Sequence, residues 1–228
     1  MENPLTTAEL TRRLAGVHRV LVLGGLAVIS HGHTRPTYDA DAWLDPTLPP
    51  QAWADAVLRI LTPHPQLGIV SIGDWQPISS AGLAAVVERD GVIRVTGSNQ
   101  PLDIFRVPNE FEATDFDTVW ERASPLDDGT RVPDTIDLLV TKQDTGRVKD
   151  AQDIAFLEAK AEQEYLAQLP TAPAGHATAM LARFLTPAVA ECATRHPDES
   201  VRRLGHRFLV ELAGDGDPFA QEILRKLG

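Results

Sequence analysis

Apolar positions change their spacing along this chain, and the changes mark its elements. Leu10, Leu14 and Val17 recur at helical spacing behind Thr6-Thr7-Ala8-Glu9, a capping box with Thr6 as N-cap. Arg19 to Leu23 is a short apolar, β-branched run that ends on Gly24-Gly25, which predicts a buried strand feeding a tight turn. A helix is expected to leave that turn over 26–31. From Thr37 to Leu44 the period becomes two, with Tyr38, Ala40, Ala42 and Leu44 on one side and Asp39, Asp41 and Trp43 on the other, so a strand is expected. Helical spacing returns from Pro49 to Leu61 through Trp53, Val57, Leu58 and Leu61. Further strands are predicted at 69–72, 92–96 and 102–107, with a helix over 78–89. Beyond 110 the patterns are helical only: 136–142, 148–169, 177–195, 198–213 and 217–227, broken at Pro197 and around Gly214-Asp215-Gly216-Asp217-Pro218.

Alternating signals followed by helical ones predict an α+β fold, with a mixed sheet flanked by helices and then a helical C-terminal region. Residues 1–170 are expected to form one domain, its sheet over about 17–107 and a helical cover over 114–169. Thr171-Ala172-Pro173-Ala174-Gly175 reads as the linker to a small helical unit, 171–228. A segment of that size is near the lower limit for folding alone, so it is expected to pack on the rest or on a partner.

Composition narrows the classes. The chain has 228 residues, 21 Lys and Arg, 32 Asp and Glu, and a net charge of −11. Residues 171–228 carry 7 of each sign, so the whole excess lies in the first 170. That balance argues against a broad grip on nucleic-acid phosphates. No apolar run approaches the roughly 18 residues of a membrane span. The N-terminus has no basic-then-apolar leader, so a cytoplasmic protein is expected. Cys192 is the single cysteine, which excludes an internal disulfide or a cysteine-built zinc site. It reads as a buried small hydrophobe. The acidic run from Glu110 to Asp128 reads as a solvated face.

The chemistry concentrates in Gly24-Gly25 and Asp39-Ala40-Asp41. Carboxylates at i and i+2 on a strand project from one face and repel unless a cation joins them. Mg²⁺ favours carboxylate oxygen together with water and substrate phosphate. An EF-hand is excluded, because its third ligand position holds Trp43 and its glycine position holds Leu44. Gly-Gly between strand and helix opens backbone N–H groups to a phosphate. It is neither a dinucleotide fingerprint nor a P-loop. The gap of 13 residues between Gly25 and Asp39 fits about two helical turns and a loop, returning the chain to an adjacent strand. Asp103 interrupts the apolar run 102–107, and a charge there needs a partner. Metal ions shared with Asp39 and Asp41 would serve, and so would Arg94 or Arg106. Among Lys142, Arg147, Lys149, Asp150 and Asp153, the spacings allow either helix-face ion pairs or a cationic wall. The histidines, including His31 and His33, show no ligand spacing and are assigned no site. Trp43, Trp53, Trp75 and Trp120 are expected in the core.

Gly-Gly, the 13-residue gap, Asp-apolar-Asp and a later strand Asp resemble the nucleotidyltransferase superfamily related to DNA polymerase β, over residues 17–107. Arg35-Pro36-Thr37-Tyr38-Asp39-Ala40-Asp41 is similar to the Arg-x-Thr-x-Asp-x-Asp form of AbiEii-like, toxin-type nucleotidyltransferases. Their Lys…Arg-x-Lys-Asp-x-x-Asp element is echoed by Lys142…Arg147-Val148-Lys149-Asp150-Ala151-Gln152-Asp153. Residues 171–228 lie outside the resemblance.

The resemblance implies a metal-dependent transfer of a nucleoside monophosphate from a nucleoside triphosphate to an acceptor hydroxyl, with pyrophosphate released. It implies two Mg²⁺ ions, replaceable by Mn²⁺, held by the catalytic acids Asp39, Asp41 and Asp103. Gly24, Gly25, Arg35, Thr37, Lys142, Arg147, Lys149 and Asp150 are the implied nucleotide-binding residues. The acceptor is left open among an RNA end, a protein and a small molecule. A cognate antitoxin or another protein at the C-terminal helices is the partner class implied by the toxin-type kinship. An aminoglycoside-type small-molecule nucleotidyltransferase and a non-catalytic nucleotide-binding module are the alternative readings.

Overall fold

The computed structural model describes residues 5–143 and 147–227, without the side chains of 148 and 149. Two compact units divide it, 1–154 and 155–228, the boundary falling inside one helix.

The first unit is built on a seven-stranded mixed sheet. Helix α1 (Thr7–Ala15) starts where expected, Thr6 accepting a bond of 3.2 Å from the Glu9 N–H. Strand β1 (Val20–Leu23) runs into α2 (Gly24–Ser30), and β2 (Ala40–Leu44) returns antiparallel beside β1. Then come α3 (Pro50–Leu61), β3 (Gly68–Val70), α4 (Leu83–Asp90), β4 (Val92–Thr96) and β5 (Leu102–Phe105). Helix α5 (Phe116–Arg122) precedes two very short strands, β6 (Ser124–Pro125) and β7 (Arg131–Val132). Helix α6 (Thr135–Val140) and the start of α7 (Val148–Gln168) complete the unit. The strand order is β3-β4-β5-β2-β1-β7-β6, with β2 parallel to β5 and β1 parallel to β7.

The period-two pattern assigns the faces. Val20, Ala40, Ala42, Leu44, Ile93, Val95, Leu102 and Ile104 share a core with Leu10 and Leu14 of α1, Trp53 and Val57 of α3, and Leu83 and Val87 of α4. On the other face Leu21, Leu23 and Trp43 pack with Phe116 and Val119 of α5. Trp43 meets Phe116 edge-on at 5.1 Å, and its ring N–H donates to the Arg106 carbonyl at 3.0 Å. Helix α5 covers only part of that face, and the remainder carries Asp41, Asp103 and Arg94.

The α+β class with a helix-flanked mixed sheet is as expected, and five strands fall where the patterns put them. The expected all-helical cover over 114–169 is corrected by β6 and β7. These hairpin strands are too short to show a period of two, and the turn between them is closed by Asp128, which accepts from the Thr130 N–H at 3.0 Å. Asp39 and Tyr38 precede β2 rather than belonging to it, and Tyr38 is exposed.

The second unit contains the rest of α7 and then α8 (Ala174–Arg183), α9 (Pro187–Ala193), α10 (Glu199–Gly214) and α11 (Pro218–Leu227). The single helix expected over 177–195 is two, because Thr186 caps α9 through the Val189 N–H and Pro187 takes its first position. Ala190, Leu209 and Ala220 centre its core. Gly205 brings α10 against α9, since a Cβ there would lie 2.7 Å from the Ala193 Cβ. No helix among the described residues is long and apolar enough to cross a membrane.

Candidate functional site

The two glycines after β1 do not precede the helix as a separate turn; they are its first residues. Gly24 has φ +60°, a left-handed conformation that costs other residues energy. A Cβ on it would lie 1.7 Å from Asp41 Oδ2, so the missing side chain is the space into which the Asp41 carboxylate reaches. At Gly25 a Cβ would meet Thr37 Oγ1 at 2.6 Å and Arg35 Nη2 at 2.8 Å. Thr37 donates to the Asp39 carbonyl at 3.0 Å, fixing the entry to β2. The 13-residue gap therefore brings Arg35, Thr37 and Asp41 back onto the glycines, as its length predicts.

Strand register aligns the acids. Asp41 of β2 is the parallel partner of Asp103 of β5, and Asp103 is the antiparallel partner of Arg94 of β4. All three sit on the open part of one sheet face. Asp103 is buried, and Arg94 holds both its oxygens, Nε to Oδ1 at 2.6 Å and Nη2 to Oδ2 at 2.7 Å. This bidentate geometry is the strong form of the charge-assisted bond. Arg94 is pushed above its ordinary pKa, first by that bond, against the opposing effect of burial, and further by the charges of Asp103, Asp39 and Asp41. Of the partners open to Asp103 at the sequence level, Arg94 takes it. Arg106 instead donates to the carbonyls of Pro46 and Leu48 at 3.3 and 3.4 Å.

A cationic wall forms around two buried carboxylates at the start of α7. Asp153 pairs with Arg35 at 2.7 Å and with Lys142 at 3.1 Å. Asp150 pairs with Arg147 at 2.6 Å and with Lys142 at 3.4 Å. Asp150 and Asp153 are almost fully buried, so these partners are what make their charge tolerable. Arg147 and Asp150 are the i, i+3 pair that the spacing allows, and Arg35, Lys142 and Arg147 line a cleft. The Lys149 side chain lies outside the described residues.

The cleft has a volume of about 510 Å³. Sheet order sets its layout. Gly24, Gly25, Arg35, Lys142 and Arg147 line the β1 end, Asp39, Asp41 and Asp103 the middle, and Ile72, Trp75, Val92 and Arg94 the β4 end. Trp43 and Trp53 are core residues as expected, and Trp120 is half-buried. Trp75 corrects the expectation: it is 58% exposed, in the loop after β3, at the cleft rim.

Asp39 and Asp41 offer the hard oxygens that Mg²⁺ takes. Asp103 is held at both oxygens by Arg94, and each oxygen keeps a further lone pair. Among the described residues no group of three His, Cys, Asp or Glu side chains is arranged to hold a metal ion. The donor chemistry fits a hard cation at Asp39 and Asp41 completed by substrate oxygens.

The sequence pattern named Gly24, Gly25, Arg35, Lys142 and Arg147, which the structure brings to one end of the cleft, but gave Arg94 no role beyond that of a partner for Asp103, set Trp75 in the core and left Asp153 outside the nucleotide-binding set. Arg94 could have been found from period two, since it falls on the same face of β4 as Asp103 does of β5. Trp75 carries no such signal.

No family model and no curated protein matches the chain. A solved structure described as a putative nucleotidyltransferase from H. pylori aligns over 96% of this chain and 91% of its own at 15% identity and a TM-score of 0.38.

Proposed function

We propose that this chain transfers a nucleoside monophosphate from a nucleoside triphosphate to an acceptor hydroxyl. The supporting observation is the convergence at one end of the cleft: two side-chain-free residues, the Asp41 carboxylate against the first, and Arg35 held by Asp153 against the second. Arg35, Lys142 and Arg147 neutralise and orient the triphosphate, the guanidinium forks matching phosphate oxygens. Gly24 and Gly25 leave room for the Asp41 carboxylate and for Arg35 and Thr37 beside the triphosphate, and Thr37 fixes the entry to the strand that carries Asp41. Asp39 and Asp41 would hold Mg²⁺ (two ions in the full form, or Mn²⁺ in substitution), which would supply charge neutralisation at the reacting and leaving oxygens. A bond forms from the acceptor oxygen to the α-phosphorus as the bond to the β-phosphate bridging oxygen breaks. Pyrophosphate leaves with that electron pair. Asp103 accepts the hydroxyl proton on a lone pair that the Arg94 bonds leave open.

The test incubates the protein with each labelled triphosphate, Mg²⁺ and separated RNA, protein and small-molecule fractions of a cell extract. Label is expected in one fraction, and Asp41→Asn is expected to lower transfer at least about 100-fold with unchanged circular dichroism. Wild-type turnover in Asp41→Asn would sink the reading. Growth arrest on expression of wild type but not Asp41→Asn would extend it to a toxin. The Arg94–Asp103 pair favours one second reading, a nucleotide-binding module without catalysis. Triphosphate binding with no fraction labelled would select it.

A further inference from the structure

Trp75 is out of place for its chemistry. A large indole is 58% exposed and its backbone is left-handed at φ +59°, where a bulky side chain is strained. The loop holds it there: Trp75 N–H donates to the Ser71 carbonyl at 3.0 Å, and Ser71 N–H donates to the Gln76 carbonyl at 3.0 Å. The Arg94 guanidinium sits over its ring at 5.1 Å. Arg94 in turn grips Asp103, so indole, guanidinium and carboxylate form one row along the cleft.

Position decides what this platform meets. Across the sheet the β1 end, where the phosphates lie in the proposed reaction, is three strand spacings from β4, roughly 14 Å. An in-line displacement puts the attacking oxygen opposite the leaving pyrophosphate, hence on the β4 side of Asp41. We infer that Trp75 and Arg94 form an acceptor platform that stacks the terminal base of a nucleic-acid 3′ end, presenting its hydroxyl at Asp103. Indole and guanidinium planes are the two side-chain surfaces on which unpaired bases stack. A net charge of −11 argues against a long phosphate track, which points recognition to the last nucleotide.

This inference deepens the transferase reading and is tested by binding alone. The probes are a short single-stranded oligoribonucleotide ending in a 3′-deoxy sugar, which cannot accept, and the same strand with an abasic last residue. The base-ended strand is expected to quench wild-type tryptophan emission and to bind at least about fivefold tighter than the abasic one. Trp75→Ala is expected to erase that difference and Trp75→Phe to retain part of it, both variants melting as wild type does because the residue is exposed. Equal binding of the two strands, or an unchanged preference in Trp75→Ala, overturns the platform. A Trp75-dependent preference in a protein that transfers nothing leaves the platform standing and removes the transferase. Transfer to a protein or an aminoglycoside that Trp75→Ala leaves untouched removes the platform alone.

Discussion

Gly24 does two jobs that no other residue can combine. It turns the chain at φ +60°, and it vacates the volume that the Asp41 carboxylate enters. Gly24→Ala is therefore expected to cost about 1–2 kcal/mol for the left-handed backbone and to expel the Asp41 carboxylate. Thermal unfolding should show a modest loss, while transfer falls at least about 100-fold. A variant that melted lower but transferred normally would separate the two jobs and deny the second. Asp45 behaves differently, as a purely structural carboxylate. Burial, the largest influence, pushes its pKa up. The hydrogen bonds from Thr47 at 2.6 and 2.9 Å and from Arg19 at 2.8 Å together outweigh that and hold it below the usual value. A depressed folded pKa stabilises the protein above the unfolded value of about 3.9 and stops doing so as pH falls through the folded one. Wild type is thus expected to lose more urea resistance than Asp45→Asn between pH 5 and pH 3. Parallel losses would show that the Asp45 contacts contribute nothing. At this scale the glycine end of the cleft was legible because a fixed spacing carried it: strand, Gly-Gly, 13 residues, Asp-x-Asp. Trp75 was not, because a left-handed loop residue leaves no periodic trace, and tryptophan reads as core by default.

Elements were legible in proportion to their length. The strands from β1 to β5 span several residues and show their faces, while β6 and β7 have two residues each and no period to read. Helix α9 was hidden for another reason: apolar positions run on past 183 at helical spacing, and the break is made by a Thr-Pro pair that also suits a helix start. The start of α7 was legible as charge pattern but not as network, since nothing in i, i+3 or i, i+4 spacing reveals that Arg35 comes from 118 residues away to Asp153. That long-range pair ties the glycine end of the cleft to the start of α7. Asp153→Ala deprives buried Lys142 and Arg35 of a shared carboxylate, which is expected to destabilise by about 3–5 kcal/mol. Chemical denaturation measures this, and triphosphate affinity should fall in the same variant under conditions where it stays folded. Full stability in Asp153→Ala would reduce the network to a surface arrangement.

On the scale of the whole chain, charge and cleft pull in opposite directions. The excess of acid lies in the first 170 residues, the same part that holds Arg35, Lys142 and Arg147 at the cleft. A polyanion approaching this protein meets a repulsive field and only a local attraction. Counterion release makes that measurable, because each phosphate contact on a single strand adds about −0.7 to the slope of log K against log salt. If the wall serves the triphosphate and the acceptor is held by one stacked base, very few acceptor phosphates are neutralised. The slope for the 3′-deoxy oligoribonucleotide is then expected to be shallower than about −2, and random duplex DNA should show no submicromolar binding at physiological salt. Titrations at three salt concentrations would decide it. A slope several times steeper would mean a basic track along the strand, and the cations at Arg35, Lys142 and Arg147 would then belong to the acceptor rather than to the nucleotide.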